Sequence, residues 1–378
     1  MTGLLTKPDP SEASFKNRRL DDDSDEFVYL RHKGREAAFH LNLLSTKKYA
    51  VGPGLVSVFL ANRSPAFRTH FAVTAETNEN LMFVLSGGIG DQICAEPTVR
   101  YALEKFGDRN ITVLTHVPEC FQHLPVAALR NDQETMSKLD MRKYWQVETC
   151  VSQRSLLSDF FSMCMVHCID MPPLAAFQRQ LPPAYKFLIL MPVVSQVIYA
   201  ESVAGGTPEV VIHPGKTWQS RTIPADYWRE LILGLNRQGV KPLLIGGSVI
   251  NKNSTVDIDL SGLAVKDVRD QLSIMETCHL LQKAKVVLTN DSGPYHLAAS
   301  GSARIGVFST GRPFHFIHHY DKTGKLNPNI KDLALGNALD LIPPRPDVKA
   351  NIRYDELDEQ ILRSFLPPVE TVIDFTLG

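Results

Sequence analysis

The chain has 378 residues, enough for two domains with full cores. Its 44% hydrophobic and 21% charged shares are those of a globular protein. The net charge of -1 excludes a global basic field that would draw it onto nucleic acid or an anionic membrane, though not a local basic groove. Among the six cysteines, Cys164 and Cys168 lie closest, in the apolar stretch FSMCMVHCIDM. No second cysteine or histidine pair has zinc spacing, which argues against metal or disulfide use there. The polar N-terminus does not read as a signal peptide, and the longest apolar runs, such as 187–194, are too short to span a bilayer. The expected place is therefore the reducing cytoplasm, the inner membrane face included.

In chain order, residues 1–26 are polar and end in an acidic run, Asp21 to Glu26, expected to be a mobile tail. FVYLRH, AAFHLNLL, LVSVFLAN and FAV then read as short strands parted by turns, a small β-rich extension up to residue 78. A first α/β unit is expected over 79–204. It opens on LMFVLSGGIGDQICAEP: a buried strand at Met82 to Leu85, a tight turn through Ser86, Gly87, Gly88 and Gly90, and a helix from Gln92 to about Phe106. Asp91 would project from the first turn of that helix. ITVLTHVPE reads as the second strand, and Phe121 to Leu129 as a helix. Further strands and helices are expected at Tyr144 to Val151, Met163 to Ile169 and Phe177 to Leu181. Residues 200–209 read as a linker. A second α/β unit over 205–345 holds strands at EVVIHPG, VKPLLIGG, KVVLTND and ARIGVFST, with helices at Ala225 to Gln238 and Leu272 to Ala284. After the break PPRPD, residues 346–378 are expected to carry a helix that packs back on the first unit. Alternating strands and helices predict two parallel, doubly wound sheets with a cleft between them.

The chemistry sits at the strand ends. A nicotinamide-binding fold is disfavoured, because the third glycine position after Gly88-x-Gly90 is Cys94 or displaced. The second strand also ends in Thr115-His116, not in an acid for a ribose hydroxyl. In the second unit, Lys216 and Arg221 follow a strand that ends in His213-Pro214-Gly215. Asp291-Ser292-Gly293-Pro294 ends another strand and opens a helix whose free N–H groups suit a phosphate. Two cations and a helix start can neutralise a diphosphate without a metal, and no carboxylate cluster suggests a magnesium site. Each feature also has a plainer reading: solvated loop charges for Lys216 and Arg221, helix caps for Asp91, Asp291 and Ser292, a packed or rim residue for His296. Trp218 either stacks on a ligand ring or plugs its loop. His315, His318 and His319 resemble a metal cluster, but the Phe314, Phe316 and Ile317 between them suggest a partly buried loop.

Three motifs together resemble glycosyltransferase family 9, the ADP-heptose:lipopolysaccharide heptosyltransferases and their relatives. GGIGDQICAEP resembles the family's G-D turn with a proline six residues after the Asp, here Asp91 to Pro97. HPGKTWQSRTIP is similar to its P-G loop with a cation and a tryptophan–proline end. VVLTNDSGPYHLAASGSARIGVFST resembles its D-S/T-G-x-x-H-L-A-A segment and the following strand, and is the most specific of the three. The resemblance covers about residues 80–325. Two departures stand out: Ile223 replaces the loop tryptophan, and Phe308-Ser309-Thr310-Gly311 replaces F-G-P-T.

The resemblance implies a GT-B architecture, two Rossmann-like domains with the acceptor on the first and the nucleotide-sugar on the second. It implies inversion without a metal or other cofactor, with Asp91 as general base. Lys216, Arg221, Asp291, Ser292, Gly293 and His296 would bind the donor, with Gly88, Gly90 and Gly215 shaping the phosphate and turn backbone. The partners implied are a nucleoside-diphosphate sugar and a glycan or other hydroxyl-bearing acceptor. A hydroxylated DNA base is a rival acceptor. It would need a basic groove on the first unit, from Arg100, Lys105, Arg109, Arg130, Lys138, Arg142 and Lys143. The same two-domain form could also serve a nucleotide-sugar epimerase or a non-catalytic nucleotide-sugar binder.

Overall fold

The computed structural model describes residues 27–32, 35–40, 81–85, 87–105, 110–138, 146–150, 167–170, 172–173, 180–247, 254–338 and 357–378. It divides into two compact units, Met1–Lys186 and Phe187–Gly378. Among the described residues no helix is long and apolar enough to cross a membrane.

The first unit begins with a hairpin, β1 (Phe27–His32) antiparallel to β2 (Arg35–His40). The acidic tail and the other strands expected in the extension lie outside the described residues. A parallel sheet follows. Its central strand β3 (Leu81–Leu85) is buried at every residue, as an apolar run flanked on both sides must be. The glycine turn leads into α1 (Ile89–Ile93), and a break at Cys94-Ala95 separates it from α2 (Glu96–Lys105). The helix thus starts earlier than expected and comes in two pieces, with Pro97 in the first turn of the second, where its missing N–H costs nothing. Next come β4 (Ile111–Thr115), β5 (Ala127–Arg130), α3 (Gln133–Lys138) and β6 (Gln146–Cys150). The sheet order is β5-β4-β3-β6, all parallel.

The helix expected at Phe121 to Leu129 is replaced by a single 3-10 turn at Pro118–Phe121 and then β5. Pro125 would fall inside that helix, where its ring clashes with the preceding turn. Ala127 to Arg130 instead add to the free edge of β4, in register with Thr112 to Thr115. Most of the segments expected at Met163 to Ile169 and Phe177 to Leu181 lie outside the described residues.

The second unit opens with α4 (Val194–Ala204), which ends at Gly205 with φ 77°. Half of the expected linker is therefore helix, and Gly205 is its left-handed cap. Then come β7 (Val210–His213), α5 (Ala225–Arg237), β8 (Leu243–Leu244), β9 (Lys266–Asp267), α6 (Ile274–Lys283), β10 (Val286–Asn290), α7 (Gly293–Ala299), β11 (Arg304–Phe308) and β12 (Ile330–Asp332). The strands form one parallel sheet in the order β12-β11-β10-β7-β8-β9. The order reverses between β7 and β10, and the carboxyl ends there are where a doubly wound sheet opens a crevice.

Apolar residues on one face of α5 bury Trp228, Leu231, Ile232 and Leu235 against that sheet. The Trp228 ring meets Phe308 edge-on at 5.5 Å. The chain closes with α8 (Glu359–Ser364) and α9 (Val369–Leu377). Of the last segment, expected to pack back on the first unit, α9 buries one face against the second. Val369, Val372 and Thr376 fall on one helical face. Val369 and Val372 join the core beneath α5. Gly234 lets α5 and α9 touch, since a Cβ there would stand 2.4 Å from Ile373 Cδ1. The Tyr227 hydroxyl donates to the Pro367 carbonyl at 2.8 Å and Arg304 to that of Thr376 at 2.8 Å.

Candidate functional site

In the first unit the turn after β3 carries its left-handed backbone at Gly87, φ 95°. Gly88 is the N-cap of α1, and Gly90 lies buried within that helix. Asp91, half-buried, accepts a hydrogen bond from the Gly88 N–H at 2.9 Å. This bond holds the carboxylate over the helix start, where the dipole favours its charge.

Sequence reasoning missed Gln92. Its buried amide donates to the Gly87 carbonyl at 3.0 Å. It accepts from the Thr115 hydroxyl at 2.6 Å and the His116 N–H at 2.9 Å. One side chain therefore ties the Asp91 turn to the end of β4. A long polar residue on the inward face of α1 is the signal that identifies it.

In the second unit the ends of β7, β10 and β11 converge. Gly215 is obligatory, because a Cβ there would stand 2.2 Å from Asn290 Oδ1 and 2.8 Å from His213 Cε1. The Asn290 amide donates to the carbonyls of Gly215 at 2.9 Å and Arg221 at 2.6 Å, fixing the loop that carries the cations. Lys216 is exposed, with its N–H bonded to the Ser254 carbonyl at 3.0 Å. Arg221 is buried, which rules out a solvated loop charge. Its Nη1 donates to Asp291 Oδ2 at 2.8 Å and to the Asp291 carbonyl at 3.0 Å. Its guanidinium lies 4.1 Å from the centre of the Trp218 ring, so that ring covers an arginine.

Asp291 is buried and does not cap α7; Ser292 is the N-cap residue. A second guanidinium, that of Arg312, donates to the same Asp291 Oδ2 at 3.1 Å. Burial opposes ionisation of Asp291, but Arg312 and Arg221, with His296 beyond, hold its carboxyl well below the usual range. Across the sheet end, burial pushes the Asp332 carboxyl up, against bonds from the Ser309 hydroxyl and N–H and the Ala334 N–H. Burial also drives His213 down to about 4, despite a bond to the Ser254 backbone. His213 Nδ1 faces the Thr289 and Ser292 hydroxyls at 3.2 and 3.3 Å. A neutral imidazole thus stitches β7, β10 and the segment beyond β8 together.

Arg221, Asp291, Ser292, Gly293, His296 and Gly215 are therefore brought to one switch point, with Lys216 on its loop. Asp91, Gly88 and Gly90 belong to the other unit. The three clustered histidines part company. His319 Nε2 lies 2.7 Å from His296 Nδ1, His318 bonds the Asn327 carbonyl at 2.9 Å, and His315 is exposed. Cys164 lies outside the described residues, and Cys168 is buried, as is Cys94.

Residues 194–329 match the family model for glycosyltransferase family 9 (heptosyltransferase). Comparison with curated protein sequences gives no match. Among solved structures, the chain is similar to E. coli ADP-heptose LPS heptosyltransferase II, with TM-score 0.54 and 14% identity, over 79% of this chain and 98% of that one. It is also similar to the iron-containing dodecameric glycosyltransferase TibC of enterotoxigenic E. coli, with TM-score 0.53 and 16% identity, over 79% of this chain and 76% of that one. A complex of TibC with ADP-D-beta-D-heptose gives TM-score 0.52 at 14% identity, over 79% and 76%. At these identities the structural likeness speaks for the GT-B fold, and the matched segment speaks for the family. Residues 194–329 are thus similar to glycosyltransferase family 9 (heptosyltransferase), and the chain shares the fold of these solved structures.

Proposed function

We propose that the enzyme is inverting and metal-independent, and moves a sugar from a nucleoside-diphosphate sugar to an acceptor hydroxyl. The observation that carries this reading is Arg221, a buried arginine held at the switch point of the second sheet by Asn290, Asp291 and Trp218. A cation so fixed is organised before any ligand arrives, which is where electrostatic catalysis gains most. Exposed Lys216 adds a second charge on the same loop. The TibC complex holds an ADP-sugar. An ADP-sugar is therefore the first donor to try here, and a glycan hydroxyl the first acceptor.

In this mechanism Asp91 takes the proton of the acceptor hydroxyl as its oxygen attacks the anomeric carbon. The bond from that carbon to the diphosphate oxygen breaks, and its electron pair leaves with the nucleoside diphosphate. Lys216 and Arg221 meet the growing negative charge. Ser292, Gly293 and His296 orient the donor. One displacement inverts the anomeric centre.

The test is transfer from ADP-, UDP- and GDP-sugars in excess EDTA, with the product's anomeric configuration read by NMR. Turnover with inversion is expected. Retention of configuration, or loss of turnover that magnesium or iron restores, would contradict the reading.

A further inference from the structure

We propose that Arg312 is a second donor-binding cation, and that Arg221 and Arg312 together read a diphosphate rather than a single phosphate. The inference rests on the donor site proposed above. It starts from the turn after β11, where Ser309-Thr310-Gly311 departs from the family pattern and Arg312 follows.

That turn is built around Arg221. The Thr310 hydroxyl donates to the Ser220 carbonyl at 2.7 Å, and the Thr310 carbonyl accepts from the Ala338 N–H at 2.7 Å. Gly311 leaves room for the arginine stem, since a Cβ there would stand 2.3 Å from Arg221 Cγ and 2.8 Å from Cδ. The next residue, Arg312, is buried and bonds Asp291 Oδ2, the oxygen that Arg221 also bonds. Both guanidinium groups lie beside the Trp218 ring, at 4.1 and 5.9 Å from its centre.

Two planar forks from two strand ends are thus pinned side by side on one carboxylate oxygen. The triad carries two positive charges and one negative. A purely structural ion pair needs one arginine, and a second buried cation on the same anion adds desolvation cost. The arrangement suits a ligand with two linked anionic groups. Guanidinium forks match phosphate oxygens, and one fork per phosphate fits a pyrophosphate bridge. Asp291 is then the shared counter-ion that sets the spacing of the two arginines.

The experiment is calorimetric titration of the full chain with ADP, GDP and UDP and with the corresponding monophosphates, for wild type, Arg312→Gln and Arg312→Lys. Ligand-free melting is measured on each protein. Wild type is expected to bind one diphosphate more tightly than its monophosphate. Arg312→Gln is expected to weaken the diphosphate by about tenfold or more and the monophosphate by no more than about twofold. Arg312→Lys keeps the charge without the fork and should fall between them. If the glutamine variant does not fold, the lysine variant decides: wild-type discrimination there overturns the proposal. Equal losses on mono- and diphosphate, or no loss, also overturn it. Failure of wild type to bind any of the three diphosphates instead removes the donor site itself, a different outcome from an unchanged Arg312 variant.

Discussion

Asp91, in the first turn of the helix after β3, and His213, the last residue of β7, are placed for opposite tasks. Asp91 is half-buried at a helix start that favours its charge. Asp91→Asn keeps the cap shape and removes the proposed base. Its turnover should fall by about 10²- to 10⁴-fold while donor affinity stays within about twofold of wild type, measured by steady-state kinetics and titration. His213 is kept neutral by burial. Folded, it takes a proton only near pH 4, whereas an exposed imidazole does so near 6.5. Between these values the unfolded chain binds the extra proton, so stability rises with pH and is lost on acidification through this window. The loss amounts to on the order of 3 kcal/mol. Urea unfolding across pH 4 to 7 should therefore show a flatter acid slope in His213→Gln than in wild type. The residue types of this site were legible where a motif marked them. Asp91 and Asp291 stand within two residues of a glycine in the turns after β3 and β10, and Arg221 follows Gly215 in the loop after β7. Arg312 and Gln92 were not legible, because what recommends each is a contact across 21 or more positions of chain, with Asp291 or Thr115.

At the scale of elements, hydrophobic runs and caps were enough to place β3, β4, β7, β10 and β11, and the helices α5 and α6. The misplaced elements are those whose conformation is set by a neighbour. β5 exists because β4 offers an edge, and β9 and β12 are too short to leave a pattern of their own. The docking of α9 depends on one glycine, Gly234, inside a helix on which it packs. Removing residues 369–378 would expose the core beneath α5 and take away Val369 and Val372. Each such side chain is worth about 1.5–3 kcal/mol when buried. The truncated chain should melt at a clearly lower temperature in calorimetry, with the loss confined to the second unit in hydrogen exchange. Unchanged protection of α5 would contradict that assignment.

At the scale of the molecule, the same topology serves twice. The order β5-β4-β3-β6 of the first sheet recurs as β9-β8-β7-β10 within the six strands of the second. Two parallel sheets were readable from the alternation of strands, glycine turns and helices. What lies on residues 1–26 and 41–80 falls outside the described fold. The central claim is that fixed positive groups of the second unit receive the departing diphosphate. It is tested most directly by titrating wild type and Arg221→Gln with an ADP-, UDP- or GDP-sugar in excess EDTA. Saturable binding of one donor to wild type, weakened about tenfold or more in Arg221→Gln, is the predicted result. Binding that needs an added metal ion, or that is as tight in Arg221→Gln as in wild type, would contradict it.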